Sequence, residues 1–260
     1  MRTANVECEP GSRNPEPGTA GFTLLELLVV VGVLAILAAA VAPMFVQEIG
    51  QARVQATEAE ARVLYEAMVG PSTGETRFGF VGDIGRLPST FQELVQQGTL
   101  PAYTTATERS IGMGWRGPYV NVGTAPTDYL NDGFGRPYTG SSTGQVRSAG
   151  VDGVANTADD IVYPPTPPAI TGSVAVTVKT MQGQKIIVDP AGYRVELFYA
   201  NNGSQTSVSA ESAPFNFSNI PMGLHAVRVV KTSNPFAGSV VAQDTVIVRP
   251  GSTAAIELWF

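Results

Sequence analysis

The feature that most constrains this chain is an apolar segment from Phe22 to Val46 in which Glu26 is the only charged residue. A transmembrane helix needs roughly 20 apolar residues, so this segment is predicted to form one. An ionisable side chain inside such a helix is costly unless it has a partner. Glu26 is therefore a candidate functional residue.

The helical pattern continues beyond the apolar segment to about Val69. After Pro43, apolar residues recur at helical spacing between charged ones, which is typical of an amphipathic helix packed on a globular domain. These apolar positions are Val46, Ile49, Val54, Ala61, Leu64, Tyr65 and Met68. Pro43 removes one backbone hydrogen bond and predicts a bend or local melting. Gly70 and Pro71 end the helix.

Further along, a short second helix is expected from about Ser89 to Gln97. Ser89 would be its N-cap, and Gly98 would end it.

Charge and the reactive side chains exclude several function classes. The formal net charge is −6 and no basic patch is present, so nucleic-acid binding is not expected. Cys8, the only cysteine, precedes Gly21, which leaves the rest of the chain without disulfides or thiolate sites. No Ser/His/Asp set is evident around His225, the only histidine. We therefore expect no enzyme activity.

A run of prolines divides the second half of the chain. Four of the five residues 164–168 are proline, which predicts a semi-rigid polyproline spacer. Residues 169–260 then alternate apolar and polar side chains in short runs. Turns at Asn201–Gly203, Pro221–Gly223 and Pro250–Gly251 separate these runs. This spacing predicts a small antiparallel β-sandwich.

The best candidate for a metal site is an acidic loop before the spacer. Asp152, Asp159 and Asp160 lie close together in sequence, and Gly150 and Gly153 allow tight turns. Calcium takes carboxylate and carbonyl oxygens, whereas zinc and copper prefer the Cys and His ligands that are missing here. The spacing is not that of an EF-hand. The alternative is a solvated Asp/Gly turn that caps strands.

The residues Gly21-Phe22-Thr23-Leu24-Leu25-Glu26 resemble the class III signal of type IV pilins and type II secretion pseudopilins. The resemblance implies that a prepilin peptidase cleaves after Gly21 and methylates Phe22 to N-methylphenylalanine. It also implies that Glu26 pairs with the Phe22 ammonium of a neighbouring subunit, because an unpaired buried charge is costly. Pro43 lies where many family members have a helix-kinking proline. The alternative is an ordinary signal anchor or a cleaved secretory signal, although the segment is long for a signal core.

Three later segments resemble the major pseudopilin of type II secretion: Gly114–Val120, Asn131–Tyr138 and Ser148–Ile161. In the second, Phe134 stands where the family has tryptophan. The resemblance implies that the acidic loop binds Ca²⁺. Its implied ligands are the side chains of Asp152, Asp159 and Asp160 and the carbonyls of Ala149, Val154 and Thr157. Separately, Phe215–Val227 is similar to the strand-turn-strand of carboxypeptidase-regulatory-like modules.

Together these observations predict an α+β fold: a long N-terminal transmembrane and amphipathic helix packed on a small antiparallel sheet, as in pilins, followed by a separate all-β sandwich domain. The predicted parts are a prepilin leader peptide (1–21), a transmembrane or filament-core helix (22–46), a pseudopilin globular domain (47–163), a Pro-rich linker (164–168) and the β-sandwich domain (169–260).

The resemblance implies a structural subunit of a type II secretion pseudopilus that helps to drive protein export. Its implied partners are the prepilin peptidase, other pseudopilin subunits in a homopolymer or mixed filament, the inner-membrane secretion assembly platform, and the membrane. The implied location is the bacterial inner membrane, crossed once, with the globular domains in the periplasm. The alternative is a type IV pilin or a minor pilin-like adhesin that displays a ligand-binding sandwich.

Overall fold

A computed structural model of the chain describes residues 21–71, 78–120 and 128–260. The described chain begins with helix α1, Leu24–Val69, which confirms the long N-terminal helix. The chain divides into two compact units, Met1–Ile49 and Gly50–Phe260. Within the second unit we call residues 50–163 the head and residues 169–260 the sandwich.

The first half of α1 exposes its large apolar side chains, from Leu24 to Leu37. The helix continues without a break through position 43, so local melting does not occur there. It ends as predicted, because Gly70 has a φ of 87° and its N–H donates to the Glu66 carbonyl at 2.7 Å.

A membrane-crossing segment is predicted at 22–46. Among the helices in the part of the chain that the structure describes, none is both long and apolar enough to span a membrane.

The head is built largely from turns around the second half of α1. Its core joins Ala61, Leu64 and Met68 of α1 to apolar residues of the following segments. Those partners include Phe80, Ile84, Phe91, Leu94, Leu100, Val120, Tyr138 and Val146. Thr57 is also fully buried on α1, which a pattern of apolar positions does not predict.

The sheet of the head is small and antiparallel. In the described part of the head the strands are β1, Val146–Ser148, and β2, Ile161–Tyr163, which pair antiparallel. Glycine and proline are frequent between residues 99 and 163, and both weaken strands. The pilin-like packing of the long helix on a small antiparallel sheet stays a prediction.

The predicted helix at 89–97 is wrong in extent. Only Phe91–Leu94 is helical, as a short 3₁₀ turn. The carbonyls of Glu93 and Leu94 accept hydrogen bonds from the Trp115 indole and the Tyr119 N–H, at 2.7 and 2.8 Å. These carbonyls are therefore taken by tertiary partners instead of by a following helical turn. The actual second helix, α2, is Gly79–Ile84. Other 3₁₀ turns are Glu108–Ser110, Asp128–Leu130 and Ser141–Thr143.

Eight strands form the sandwich: β3 Thr171–Gln182, β4 Lys185–Val188, β5 Tyr193–Asn201, β6 Ser204–Ala210, β7 Phe215–Pro221, β8 Gly223–Lys231, β9 Val240–Val248 and β10 Thr253–Trp259. One sheet has the order β6-β5-β8-β9. In the other, β3 pairs with β10, β4 and β7. The enclosed core contains alternating residues of both sheets, such as Val174, Val176, Leu197, Val227 and Val229.

The expectation of a purely antiparallel sandwich is wrong at one place, because β10 runs parallel to β3. An alternating pattern predicts which side chains face the core. It does not predict the direction of two strands that no hairpin connects.

The sandwich packs directly on the head. Ile111 and Met113 of the head form a buried cluster with Phe198, Ala200 and Ala226 of the sandwich. A polar contact lies beside it, where Arg228 binds Glu108 at 3.1 Å. The head and the sandwich therefore belong to one compact unit. The exact domain boundaries stay predictions.

Candidate functional site

The junction Gly21-Phe22 lies just outside α1. Residues 21–23 are not helical, and Phe22 is 85% exposed. A peptide bond in such a segment is accessible to a processing enzyme, because no helical hydrogen bond needs to be broken first. The structure thus places the predicted cleavage point at a non-helical, exposed position, and cleavage there stays a prediction.

Glu26 lies in the first turn of α1 and caps it. Its Oε2 accepts hydrogen bonds from the Thr23 backbone N–H and from the Thr23 hydroxyl, both at 3.0 Å. In return the Glu26 N–H donates to Thr23 Oγ1 at 3.2 Å. This is a capping box, which satisfies N–H groups that an α-helix leaves free at its start. The spacing Thr-x-x-Glu signals this capping box in the sequence, whereas the apolar surroundings of Glu26 point only to its charge.

The acidic loop connects β1 to β2, and Ser148 pairs with Ile161 at its base. Asp159 organises one side of the loop: its Oδ2 accepts the N–H groups of Val151 and Asp152 at 2.7 and 2.9 Å. The bond from the Asp152 N–H, followed by that from the Thr157 hydroxyl, lowers the pKa of Asp159 to about 2. Asp159 is therefore ionised at neutral pH.

Four oxygen atoms meet around the Thr157 hydroxyl. Its Oγ1 lies 2.7 Å from Asp159 Oδ1, 2.9 Å from the Val154 carbonyl, 3.4 Å from Asp152 Oδ1 and 3.5 Å from Asp160 Oδ1. A hydroxyl carries one hydrogen, so it can donate fully to only one of these acceptors. The other three acceptors do not share this hydrogen fully, although Asp160 Oδ1 also lies 3.5 Å from the Thr157 backbone N–H. Carboxylate and carbonyl oxygens are the kinds of ligand that a hard cation takes.

The loop has oxygen atoms of the kind that calcium binds, but they do not form a complete coordination sphere. Within residues 21–71, 78–120 and 128–260, no group of three or more His, Cys, Asp or Glu side chains is placed to hold a metal ion. Asp152 and Asp160 also accept the N–H groups of Val154 and Asn156, both at 2.7 Å. The Ala149 carbonyl, another predicted ligand, accepts the Gly153 N–H at 3.0 Å.

Residues of the Asn131–Tyr138 segment fix the base of the loop, and sequence reasoning missed this role. Asp132 accepts the hydroxyl of Ser148 on one oxygen and the backbone N–H groups of Phe134 and Arg136 on the other, at 2.9 Å each. The Arg136 guanidinium donates to the Gly150 carbonyl at 2.6 Å. An aspartate buried this deeply, 5% exposed, has a positional role.

The same segment is attached to α1. The Gly133 N–H donates to Thr57 Oγ1 at 3.0 Å, and the Tyr138 hydroxyl donates to Glu60 at 2.9 Å. A Cβ at Gly133 would lie 2.7 Å from the Arg53 carbonyl, so no larger residue fits there. The acidic loop is thus connected through Asp132 and its neighbours to the part of α1 that lies in the head.

His225 is buried between the sheets. Its Nε2 lies 2.6 Å from the Pro221 carbonyl, and its Nδ1 has no hydrogen-bond partner among the described residues. Burial lowers the pKa of His225 to about 4. The side chain is 1% exposed, so it is inaccessible to a substrate in this structure.

Comparisons with known proteins bear mainly on the N-terminus. Residues 18–42 match the prokaryotic N-terminal methylation motif. No curated protein is similar enough to this chain to count as a relative. A solved structure from Pseudomonas aeruginosa, of a protein described as carbohydrate binding, aligns with 38% of this chain and 94% of its own, at 12% identity and a TM-score of 0.25. That similarity is too low to carry an argument. The chain thus has a prepilin-type N-terminus, which implies processing by prepilin peptidase and anchoring of the N-terminus in a membrane.

Proposed function

We propose that this chain is a structural subunit of a type II secretion pseudopilus. The observation that carries the proposal is the methylation motif at 18–42, in which Gly21 and Phe22 precede a helix that begins at Leu24. Cleavage between Gly21 and Phe22 would place a new ammonium group four residues before Glu26. In a packed filament, this ammonium group would pair with the Glu26 carboxylate of a neighbouring subunit, so that neither charge is buried alone.

The exposed apolar side chains of α1 support assembly. Large side chains from Leu24 to Leu37 have no cover in the single chain. Burial of a leucine or valine side chain contributes about 1.5–3 kcal/mol, so a bundle of such helices would be strongly favoured. Glu26 would neutralise the Phe22 ammonium of a neighbouring subunit and set the axial register.

Calcium is the second element of the proposal. Asp152, Asp159 and Asp160 would provide side-chain oxygens, and Val154 would provide a carbonyl at the point where the Thr157 hydroxyl now lies. The ion would offset the charge of three neighbouring carboxylates. Through Asp132 it would stabilise the part of the head that packs on α1.

The proposed partners follow from this role. They are other pseudopilin subunits, the prepilin peptidase and the inner-membrane assembly platform, with the head and sandwich in the periplasm. We propose no enzymatic activity for the chain.

A type IV pilin or a minor pilin-like adhesin is the second candidate. The packing of the sandwich on the head, through Ile111 and Met113, favours it. A sandwich fixed in this way makes each subunit bulkier, and bulky subunits crowd one another in a dense homopolymer. A subunit present in few copies, for example at the filament tip, avoids this crowding.

A deletion of the gene in its host tests the choice. The pseudopilus proposal expects proteins that are normally secreted to accumulate in the periplasm, with restoration by the intact gene. Normal secretion together with a loss of surface pili or adhesion would contradict the pseudopilus and support the second candidate.

A further inference from the structure

One end of the sandwich points away from the head. The head touches the opposite end of the strands, where the Gly203 N–H donates to the Ile84 carbonyl at 2.8 Å. At the far end, Lys179 of β3 lies opposite Trp259 of β10 on one side and opposite Val188 of β4 on the other. Phe260 stacks on Tyr193 with ring centroids 4.7 Å apart. We call this surface the distal end: the β3–β4 turn, the 232–239 loop and residues 259–260.

All three lysines of the chain lie at the distal end: Lys179, Lys185 and Lys231. Every other cationic side chain is an arginine, and the chain as a whole has a net charge of −6. Lys179 binds Glu257 at 2.7 Å. Among the described residues, Lys185 and Lys231 take part in no ion pair. The distal end is thus a local concentration of ammonium groups on an acidic protein.

Large apolar side chains protrude between these lysines. Phe236 is 75% exposed, and Met181, Ile186, Val188 and Trp259 are each about half exposed. Ile186 lies directly opposite Met181 in the β3–β4 hairpin. Phe236 has a φ of 76°, a strained conformation for a bulky residue. The strained backbone thus belongs to the most exposed of the large apolar side chains at the distal end.

Three carboxylate side chains also lie at this end of the sandwich: Asp189, Glu257 and Glu211, which follows the last residue of β6. Asp189 accepts the Val178 N–H at 2.8 Å, and Glu257 is the partner of Lys179. Among the described residues, the ammonium groups of Lys185 and Lys231 have no carboxylate within ion-pair distance, and that of Lys231 lies 5.9 Å from the centre of the Phe236 ring, so both can meet an external anion.

We propose that the distal end docks on the surface of an anionic phospholipid membrane. Lysines near such a surface are attracted to the lipid headgroups, and aromatic and aliphatic side chains on turns enter the interface between headgroups and acyl chains. Long lysine side chains can keep their charge at the headgroups while their stems lie on apolar surface.

The composition favours lipid over an acidic protein partner. Protein interfaces are depleted in lysine and enriched in arginine, whereas every cation of the distal end that has no carboxylate partner is a lysine. The apolar side chains lie on a hairpin and a loop, which suits insertion between mobile lipids.

The test uses residues 50–260, which contain the four buried apolar clusters found among the described residues and lack the apolar half of α1. Cosedimentation is measured with vesicles of phosphatidylethanolamine and phosphatidylglycerol, and with phosphatidylcholine vesicles as the neutral comparison. Lys185→Glu is paired with Arg249→Glu, which makes the same charge change at the end near the head. Phe236→Ser is paired with Val208→Ser on β6.

The proposal expects binding to the anionic vesicles only, weakened by salt because exposed charges are screened. Lys185→Glu should lower the partition coefficient about five-fold or more, as expected for each lysine near an anionic surface. Phe236→Ser should lower it to a similar degree. Both control variants should bind like the unmodified fragment.

Three results would overturn the proposal. The first is an absence of binding to anionic vesicles by the folded fragment. The second is equal binding by Lys185→Glu and Arg249→Glu. The third is binding to an insoluble polysaccharide or an acidic protein that depends on Trp259 while the vesicles are ignored. None of these results bears on processing at Gly21, so the proposed function is judged separately.

Discussion

Thr23 and Glu26 close the first turn of α1 through a single shared oxygen: Glu26 Oε2 accepts both the backbone N–H and the hydroxyl of Thr23, each at 3.0 Å. Glu26 therefore has a structural role in the single subunit before any filament forms. Its proposed role in the filament is a different one, the neutralisation of an ammonium group.

Glu26→Gln separates the two roles. A glutamine keeps a side-chain oxygen that can cap the helix, but it loses the charge. We expect Glu26→Gln to be processed normally and to form few filaments, as measured by immunoblot and by electron microscopy of sheared fractions. Thr23→Ala is the matched control, since it removes the cap, at a cost of about 1 kcal/mol, and keeps the charge. Normal filaments from Glu26→Gln would exclude charge pairing.

Calcium should stabilise the head through the acidic loop. Calcium at about 100 times its dissociation constant would add about 2.7 kcal/mol, which raises the melting temperature of residues 50–260 measured by circular dichroism. Asp152→Asn should remove the shift, because it takes away one of the three charges around Thr157. Asp244→Asn, an exposed aspartate on β9, should keep it. Equal melting temperatures with calcium and with chelator would contradict the calcium proposal.

His225 predicts a loss of stability in acid. Burial lowers its pKa in the folded protein to about 4 from an ordinary value of 6.5, so below pH 6.5 the unfolded chain binds a proton that the folded chain does not. Stability therefore falls as the pH decreases from 6.5 towards 4, by up to about 3 kcal/mol from this group. Urea unfolding across this range should show a smaller decrease for His225→Gln. An identical pH dependence in both proteins would disprove the assignment.

The contact between the head and the sandwich predicts a single unfolding transition. Met113 is 1% exposed at this contact, and truncation of such a residue costs about 2–5 kcal/mol. The chain has one tryptophan in each part, Trp115 and Trp259. In Trp115→Phe the remaining tryptophan reports on the sandwich. In Trp259→Phe the remaining tryptophan reports on the head. Met113→Ala should lower the urea midpoint by the same amount whether unfolding is followed by Trp115 or by Trp259.

The matched control for that experiment is Met181→Ala, whose side chain is 59% exposed and whose effect should stay within about 0.5 kcal/mol. Two separate transitions, one for each tryptophan, would show that the sandwich and the head unfold independently.

The features with strong local signals were predicted correctly. Helix α1 follows from helical periodicity and ends at Gly70, where the positive φ suits a glycine. Strands β3, β5, β8, β9 and β10 of the sandwich follow from alternation, and the predicted turn at Asn201–Gly203 separates β5 from β6. In each case neighbouring residues alone determine the pattern.

The features that were missed depend on distant partners. Helix α2 contains two glycines, which argue against a helix, yet Phe80 and Ile84 are fully buried in the head. Asp132 binds Ser148, which is distant in sequence. The parallel pairing of β3 with β10 likewise joins the two ends of the sandwich. Periodicity carries no information about such contacts.

The most direct test of the account is the N-terminus of the mature protein. Mass spectrometry of the full chain, purified from membranes of a strain with active prepilin peptidase, should show a protein that begins with N-methylated Phe22. Gly21→Leu should leave the precursor uncut. An intact leader in the unmodified protein, or cleavage at any other peptide bond, would contradict the assignment of a prepilin-type subunit.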